Sequence, residues 1–309
     1  MPNNLKNYFI REQVIQKSRD FFLEKKFHEV FAPVLLSSLP LEPNIYSLRT
    51  IWQYNQNNLY LATSPESTLK KLLSQGIGNC FSISSCFRDL EANGPTHHPE
   101  FLMLEWYEIG KNYITLMDSV ENYIININER LGNKNNKRTN KILTYQKRSI
   151  DLTPPWPKIT LKKLFASSGY KNLPDNEPDL NQIFLNHIEP HLPQNQPLFI
   201  TDFPAFMSPL AQPNKNNQTS QRFELYLAGM ELANGCTENT DPLLIKNHFN
   251  QQQQYRQQHQ IASHSIDTDF IKNSAHLPPC AGVGLGLDRL TMIFADTTNI
   301  NNILYSPLN

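Results

Sequence analysis

Apolar positions recur at near-helical spacing over residues 8–26, YFIREQVIQKSRDFFLEKK, where Ile10, Val14, Ile15, Phe21 and Phe22 fall close to one face. This predicts a long first helix. The next segment, FHEVFAPVLL, is rich in β-branched and aromatic residues and contains Pro33, which predicts a strand ending or bulging at the proline. Residues 58–63 read as a short strand. Ser64-Pro65-Glu66 then starts a helix through Leu73, with Ser64 as cap and Pro65 in the first turn. Residues 79–87 and 100–108 read as two strands joined across the turn signal Ala92-Asn93-Gly94-Pro95. A helix over 112–131 ends at Gly132.

The stretch 133–141 is polar and predicts a surface loop, and about 133–197 reads as an inserted subregion with one or two helices. Strand character returns over 198–211 and 221–237, the latter folded at Ala228-Gly229. Residues 242–263, with the run Gln251–Gln254, predict a polar helix. A small-residue strand over 279–288 precedes a helix from about Arg289 to Ala295. Neighbouring strands with helices segregated beside them give an α+β expectation: an antiparallel β-sheet flanked by helices, in one domain over 1–309.

Composition narrows the function classes. The 309 residues are 39% hydrophobic, enough for a substantial core, and Lys+Arg and Asp+Glu are both 28. Zero net charge gives no global pull toward nucleic acid. Cys80, Cys86, Cys236 and Cys280 form no C-x-x-C pair, which argues against a zinc site or a disulfide framework. No apolar signal core and no run near the ~20 residues that span a bilayer are present, so no membrane partner and an intracellular, cytoplasmic location are expected.

The candidate chemistry lies in three places. Arg88 closes an apolar strand, and Arg289 follows a glycine-rich one. Two fixed cations far apart in sequence suit a polyphosphate gripped from two sides, and an arginine fork can offset charge developing at phosphorus. His97, His98 and Phe101 follow Arg88 and could donate to phosphate or stack on a base. Glu224 and Glu231 flank the Ala228-Gly229 turn and could share one Mg²⁺ with phosphate oxygens. Glu66, Glu105 and Glu238 would, if they converge, recognise a diamino acid, with Asn234 beside them. Gly282, Gly284 and Gly286 alternate on one strand face and leave room for something flat, such as adenine. The nucleotide is expected without a P-loop.

These residues together resemble the class II aminoacyl-tRNA synthetases of the lysine branch. EKKFHEVFAPVL looks like motif 1, CFRDLE with HHPEFLMLEWY like motif 2, and GVGLGLDR like motif 3. SPLA, RFELY and ELANG fit the lysine subclass. With motif 1 beginning inside the first thirty residues, no anticodon-binding domain is expected ahead of it. The nearest likeness is to the truncated paralogues that join (R)-β-lysine to a lysine of elongation factor P. A tRNA-acylating enzyme and a non-catalytic regulatory paralogue are the alternatives.

The resemblance implies roles residue by residue. Arg88 would hold the α-phosphate of ATP and Arg289 the γ-phosphate, as the catalytic pair. Asp89, Glu91, His97, His98, Phe101, Glu231, Leu232 and Gly286 would complete the ATP site, with Phe101 on adenine. Glu224 and Glu231 would carry Mg²⁺. Ser64, Pro65, Glu66, Glu105, Tyr107, Asn234 and Glu238 would bind lysine or β-lysine. A homodimer would form around Pro33. The chain departs from the family pattern in Arg88-Asp89-Leu90-Glu91, in a motif 2 loop one residue longer, and in His98 for asparagine. Cys236 stands where an aromatic residue is usual, and Gly284 matches the tRNA synthetases rather than the ligases.

Overall fold

The computed structural model describes residues 3–90, 94–132, 141–215 and 218–305. Helix α1 (Asn3–Glu24) seats Val14, Phe21 and Phe22 in the core, with Ile10 and Ile15 packed against it. The segment after it is not one strand. It forms β1 (His28–Glu29) and β2 (Leu35–Leu36) on either side of Pro33, and these join different sheets. Proline has no N–H to give to a ladder, so one continuous strand cannot pass through it. β3 (Arg49–Trp52) and β4 (Asn57–Leu61) form a small antiparallel sheet with β2. β3 was not foreseen, because all its residues are exposed and no alternation marks it.

Helix α2 (Glu66–Ser74) has Pro65 at its N-cap position rather than inside its first turn; Ser64 Oγ accepts from the Glu66 N–H at 3.4 Å. β5 (Cys80–Phe87) and β6 (Glu100–Ile109) form the expected antiparallel pair. A reciprocal cap between Asn112 and Thr115 starts α3 (Tyr113–Leu131). The loop expected over 133–141 lies outside the described residues except at Lys141. Then come the hairpin β7 (Ile142–Tyr145) and β8 (Arg148–Asp151), then β9 (Lys158–Thr160), α4 (Leu161–Ser167), α5 (Glu177–Ile183) and β10 (Leu198–Thr201). Strand character over 198–211 is thus confined to its first residues.

β11 (Arg222–Leu227) and β12 (Met230–Thr237) meet at Ala228-Gly229, where φ is 54° and 75°. Positive φ at both central residues matches the twist of a tight hairpin. Helices α6 (Pro242–Gln258) and α7 (Thr268–Ser274) are capped by Asp241 and Asp267; α7 was not anticipated. β13 (Cys280–Gly286) runs straight into α8 (Leu287–Phe294), so Arg289 is the third residue of the helix, not its first.

Among the described residues the main sheet has eight strands, in the order β1-β5-β6-β13-β12-β11-β10-β9. It is antiparallel except at its two edge pairs, β1 with β5 and β9 with β10. One face packs on α1, α3 and α8 through Phe81, Leu104, Trp106, Phe223, Leu225, Val283 and Leu285. Alternation sends the intervening residues to the other face, which carries the site. Buried Asp288 ties the layers together: it accepts from Arg11 Nε on α1 and from the Leu102 N–H on β6, both at 2.7 Å. Among the described residues no helix is long and apolar enough to cross a membrane. All four cysteines are free thiols.

Candidate active site

Three adjacent strands build the floor of a cavity of about 460 Å³. In register, Gly282 pairs with Tyr107 on one side and Cys236 on the other, and Gly284 with Glu105 and Asn234. A row of glycines therefore lies between a row of acid and phenol and a row of polar groups. The space over Gly282 is not left for a flat ligand. A methyl group there would lie 2.2 Å from Tyr107 Cε1 and 2.8 Å from Glu238 Oε1, so those side chains already fill it. Over Gly284 a methyl would be 3.4 Å from Met103 Sδ and 3.8 Å from Glu105 Oε2, which is ordinary contact.

Arg88 and Arg289 both line this cavity. Arg88 follows β5, its backbone fixed by Arg88 N–H to Pro99 O at 3.0 Å, and its guanidinium stands 5.1 Å from the Phe101 ring centroid. Phe101 thus carries a cation on one face. Arg289 donates to Glu231 O and to His97 Nε2, each at 2.9 Å, and its Nη1 is 3.8 Å from Glu231 Oε2. The motif 2 histidine and the motif 3 arginine are therefore in direct contact. His98 lines the cavity, with Nδ1 held by the Glu100 backbone.

On the other side the three acids line the cavity together, and two of them, Glu66 and Glu238, close on Lys70. Lys70 Nζ lies 2.5 Å from Glu66 Oε1 and 2.5 Å from Glu238 Oε2. The second contact is at ion-pair distance but off hydrogen-bond geometry. Glu105 accepts from Tyr107 Oη at 2.5 Å. Burial and the Glu66 charge push Glu105 up to about 8, against the pull of Tyr107 and Lys70. Burial also lifts Glu238 to about 7 although Lys70 opposes it. Burial works against the Lys70 charge, but Glu238 and Glu66 outweigh it and hold the ammonium well above the ordinary lysine range. Glu42, on the loop after β2, adds a fourth acid to the lining, raised to about 7 by burial and by Glu66.

Glu224 and Glu231 reach the cavity by different routes. Arg222, Glu224 and Tyr226 alternate on the cavity face of β11. Simple alternation on β12 would put Glu231 with Ala233 on the core face. A register shift between Leu225 and Tyr226 instead sets Glu231 opposite Tyr226, so it shares the face of Glu224. Leu232 then sinks into the core while still edging the cavity. Glu224 is held by Arg222 Nη2 at 2.5 Å and Tyr226 Oη at 3.0 Å. Burial raises it to about 7; Arg222 pulls down and Glu231 pushes up. Arg222 also donates from Nε to Asn234 Oδ1 at 3.0 Å, fixing that amide.

Ser64, Glu66, Tyr107, Asn234 and Gly286 line the cavity as well. Two expected contacts do not: Asp89 is exposed and accepts from the Leu90 N–H through its own side chain, and Pro65 is buried at the N-cap of α2. Glu91 lies outside the described residues. Lys70 and Arg222 carried a usable signal, an i,i+4 partner in Glu66 and an i,i+2 partner in Glu224. Glu42 sits on an irregular loop and had none.

Comparison with known proteins gives the same direction. The profile described as tRNA synthetases class II (D, K and N) matches residues 1–309. A lysine–tRNA ligase of Moorella thermoacetica is 32% identical over 332 residues, which cover 98% of this chain and 65% of that protein. The chain thus spans just under two thirds of that relative. An elongation factor P–(R)-beta-lysine ligase of Hamiltonella defensa is 31% identical over 98% of this chain and 95% of its own length. Its counterpart in Buchnera aphidicola subsp. Schizaphis graminum is 33% identical over 97% and 95%. With the antiparallel sheet, both motif arginines in one cavity and a profile match along the whole chain, the protein belongs to the class II tRNA synthetases of the D, K and N group.

Proposed function

We propose that the protein is an ATP-dependent ligase that activates lysine or (R)-β-lysine as an adenylate and transfers it to a lysine side chain of elongation factor P. One observation carries this: Glu66, Glu105 and Glu238 share a single cavity with Arg88 and Arg289. An acidic wall receives ammonium groups, and the arginines receive a triphosphate. A carboxylate oxygen of the amino acid attacks the α-phosphorus, the bond to the bridging oxygen breaks, and pyrophosphate leaves. Arg88 stabilises charge at the α-phosphate; Arg289, held by His97, grips the far phosphate. Positioning and electrostatics do the work, with no protein nucleophile. The acceptor amine then attacks the activated carbonyl: the C–N bond of the amide forms, the bond from that carbon to the adenylate oxygen breaks, AMP leaves with the bonding pair, and the amine's proton passes to solvent.

The paired acids Glu224 and Glu231 fit a divalent cation, since two carboxylates on one face repel each other as they stand. When bound there, Mg²⁺ would neutralise phosphate charge. The acceptor assignment is supported by relatives matched over 95% of their own length. Gly284 and the equally similar lysine–tRNA ligases favour a second reading, with tRNA as acceptor. For the protein itself we propose a cytoplasmic two-fold dimer around Pro33, two residues from which Phe31 is 85% exposed.

The test is amino-acid-dependent ATP–pyrophosphate exchange. Arg88→Ala and Arg289→Ala should each lower it by roughly 10²–10³ while the fold stays intact. Exchange at the wild-type rate in either variant would remove the two-arginine assignment.

A further inference from the structure

A buried cation stands behind two of the acids that line the cavity. Lys70 projects from α2 between two acids, and its side chain is 4% exposed, against 13% for Glu66 and 1% for Glu238. Nζ also lies 5.9 Å from the Tyr107 ring and 5.7 Å from that of Phe270, so the stem is packed and the ammonium confined. Two carboxylates that close in a buried site do not both stay ionised without a counter-charge.

We propose that Lys70 is a positioning and specificity-determining residue: a built-in counter-ion that bridges Glu66 and Glu238 and holds the two carboxylates close together, so that the pocket receives a ligand with two ammonium groups. The inference rests on the amino-acid pocket proposed above. The ligand's ammonium groups take the place of the protons that burial leaves on Glu105 and Glu238, while its carboxylate is turned toward Arg88. Without Lys70, Glu238 loses the charge that opposes the effect of its burial and holds its proton more tightly, and a ligand must displace that proton before it binds.

Other groups bear on this balance. On β6, Glu105 and Tyr107 form their own hydrogen-bonded pair beside Lys70. Cys236 on β12 and Cys280 on β13 are thiols held neutral by burial. Glu42 approaches from its loop. On α7, Asp267 is engaged by Lys71 at 2.7 Å and so does not compete for Lys70.

The experiment compares wild type, Lys70→Met and Lys70→Arg. Exchange is measured from about pH 6 to about pH 9 with lysine and with (R)-β-lysine, and lysine binding is followed by titration calorimetry in buffers of different ionisation enthalpy. Lys70→Met should raise KM for the diamino acid roughly tenfold or more. It should leave KM for ATP within about twofold, displace the pH profile upward by about one unit and release more protons on binding. Lys70→Arg, which keeps the charge, should restore the profile. A Lys70→Met protein with wild-type KM, profile and proton release overturns the inference. So does a folded Lys70→Arg protein that behaves as Lys70→Met should. If wild type binds lysine but catalyses no exchange, the proposed function falls, while the calorimetric comparison still decides the role of Lys70. If it binds neither diamino acid, both fall.

Discussion

Gly282 and Gly284 differ in what their missing side chains make possible. At Gly282 the space belongs to Tyr107 and Glu238, with a methyl group only 2.2 Å from the ring. Gly282→Ala should therefore displace Tyr107 and Glu238, two residues of the proposed amino-acid pocket, and raise KM for the diamino acid more than KM for ATP. Gly284 has room for a methyl against the flexible Met103 thioether. Gly284→Ala should fold normally and be equal to wild type or up to about 1 kcal/mol more stable, because it restricts the unfolded chain. Thermal melts of the two variants check this pair; a Gly284→Ala protein that melts lower than Gly282→Ala contradicts it. Glu238→Gln leaves Lys70 and a bound ammonium without a full charge. Truncating one partner of a buried charge pair costs about 2 kcal/mol or more, so KM for lysine should rise roughly 30-fold with little change for ATP. Equal activation of leucine and lysine by the wild type would show that the acids do not select.

Two junctions between elements set the site. The β-bulge on β12 turns Glu231 onto the face of Glu224, and Asp288 at the start of α8 fixes that helix to α1 and β6 just before Arg289. Asp288→Ala would strand Arg11 and the Leu102 N–H; removing one partner of a buried pair costs about 3 kcal/mol. Both the melting temperature and the exchange rate should fall, and an unchanged melt would discount the anchor. These junctions explain how far the sequence could be read. Strands with clean alternation, such as CFSISSCF and EFLMLEWYEI, and helices with caps, such as the one after Asn112, were legible because local pattern and tertiary burial agree. The acids, both arginines and the Ala228-Gly229 turn could be named for the same reason. The bulge has no periodic signature, and Glu42 lies on a loop whose path depends on packing. The i,i+4 spacing of Glu66 and Lys70 is visible in the sequence, but the second partner, Glu238, is brought to Lys70 only by the fold. Pro33 pointed to a break, but not to two strands in two sheets.

At the scale of the molecule, the buried acids make stability depend on pH. In the ligand-free fold Glu105 and Glu238 hold protons up to about 8 and about 7, chiefly because burial penalises their charge. In the unfolded chain they release them near the ordinary glutamate value of about 4.3. The folded state binds more protons between these limits, so this contribution is full below about 4.3 and is lost as the pH rises through about 8. Melting temperature should fall from about pH 5.5 to about pH 8.5, and saturating lysine should shrink that fall by supplying ammonium partners. A melting temperature that rises over this window contradicts the acid assignment. The exposed Phe31 makes a second whole-molecule prediction: Phe31→Lys should shift the proposed dimer to monomer in light scattering, and an unchanged mass would place the interface elsewhere. The proposed reaction joins an acidic pocket to a protein acceptor. Its most direct test is incubation with ATP and labelled lysine or (R)-β-lysine, offering purified elongation factor P and total tRNA in parallel. Label on a lysine of elongation factor P is the expected result; label on tRNA alone would contradict it.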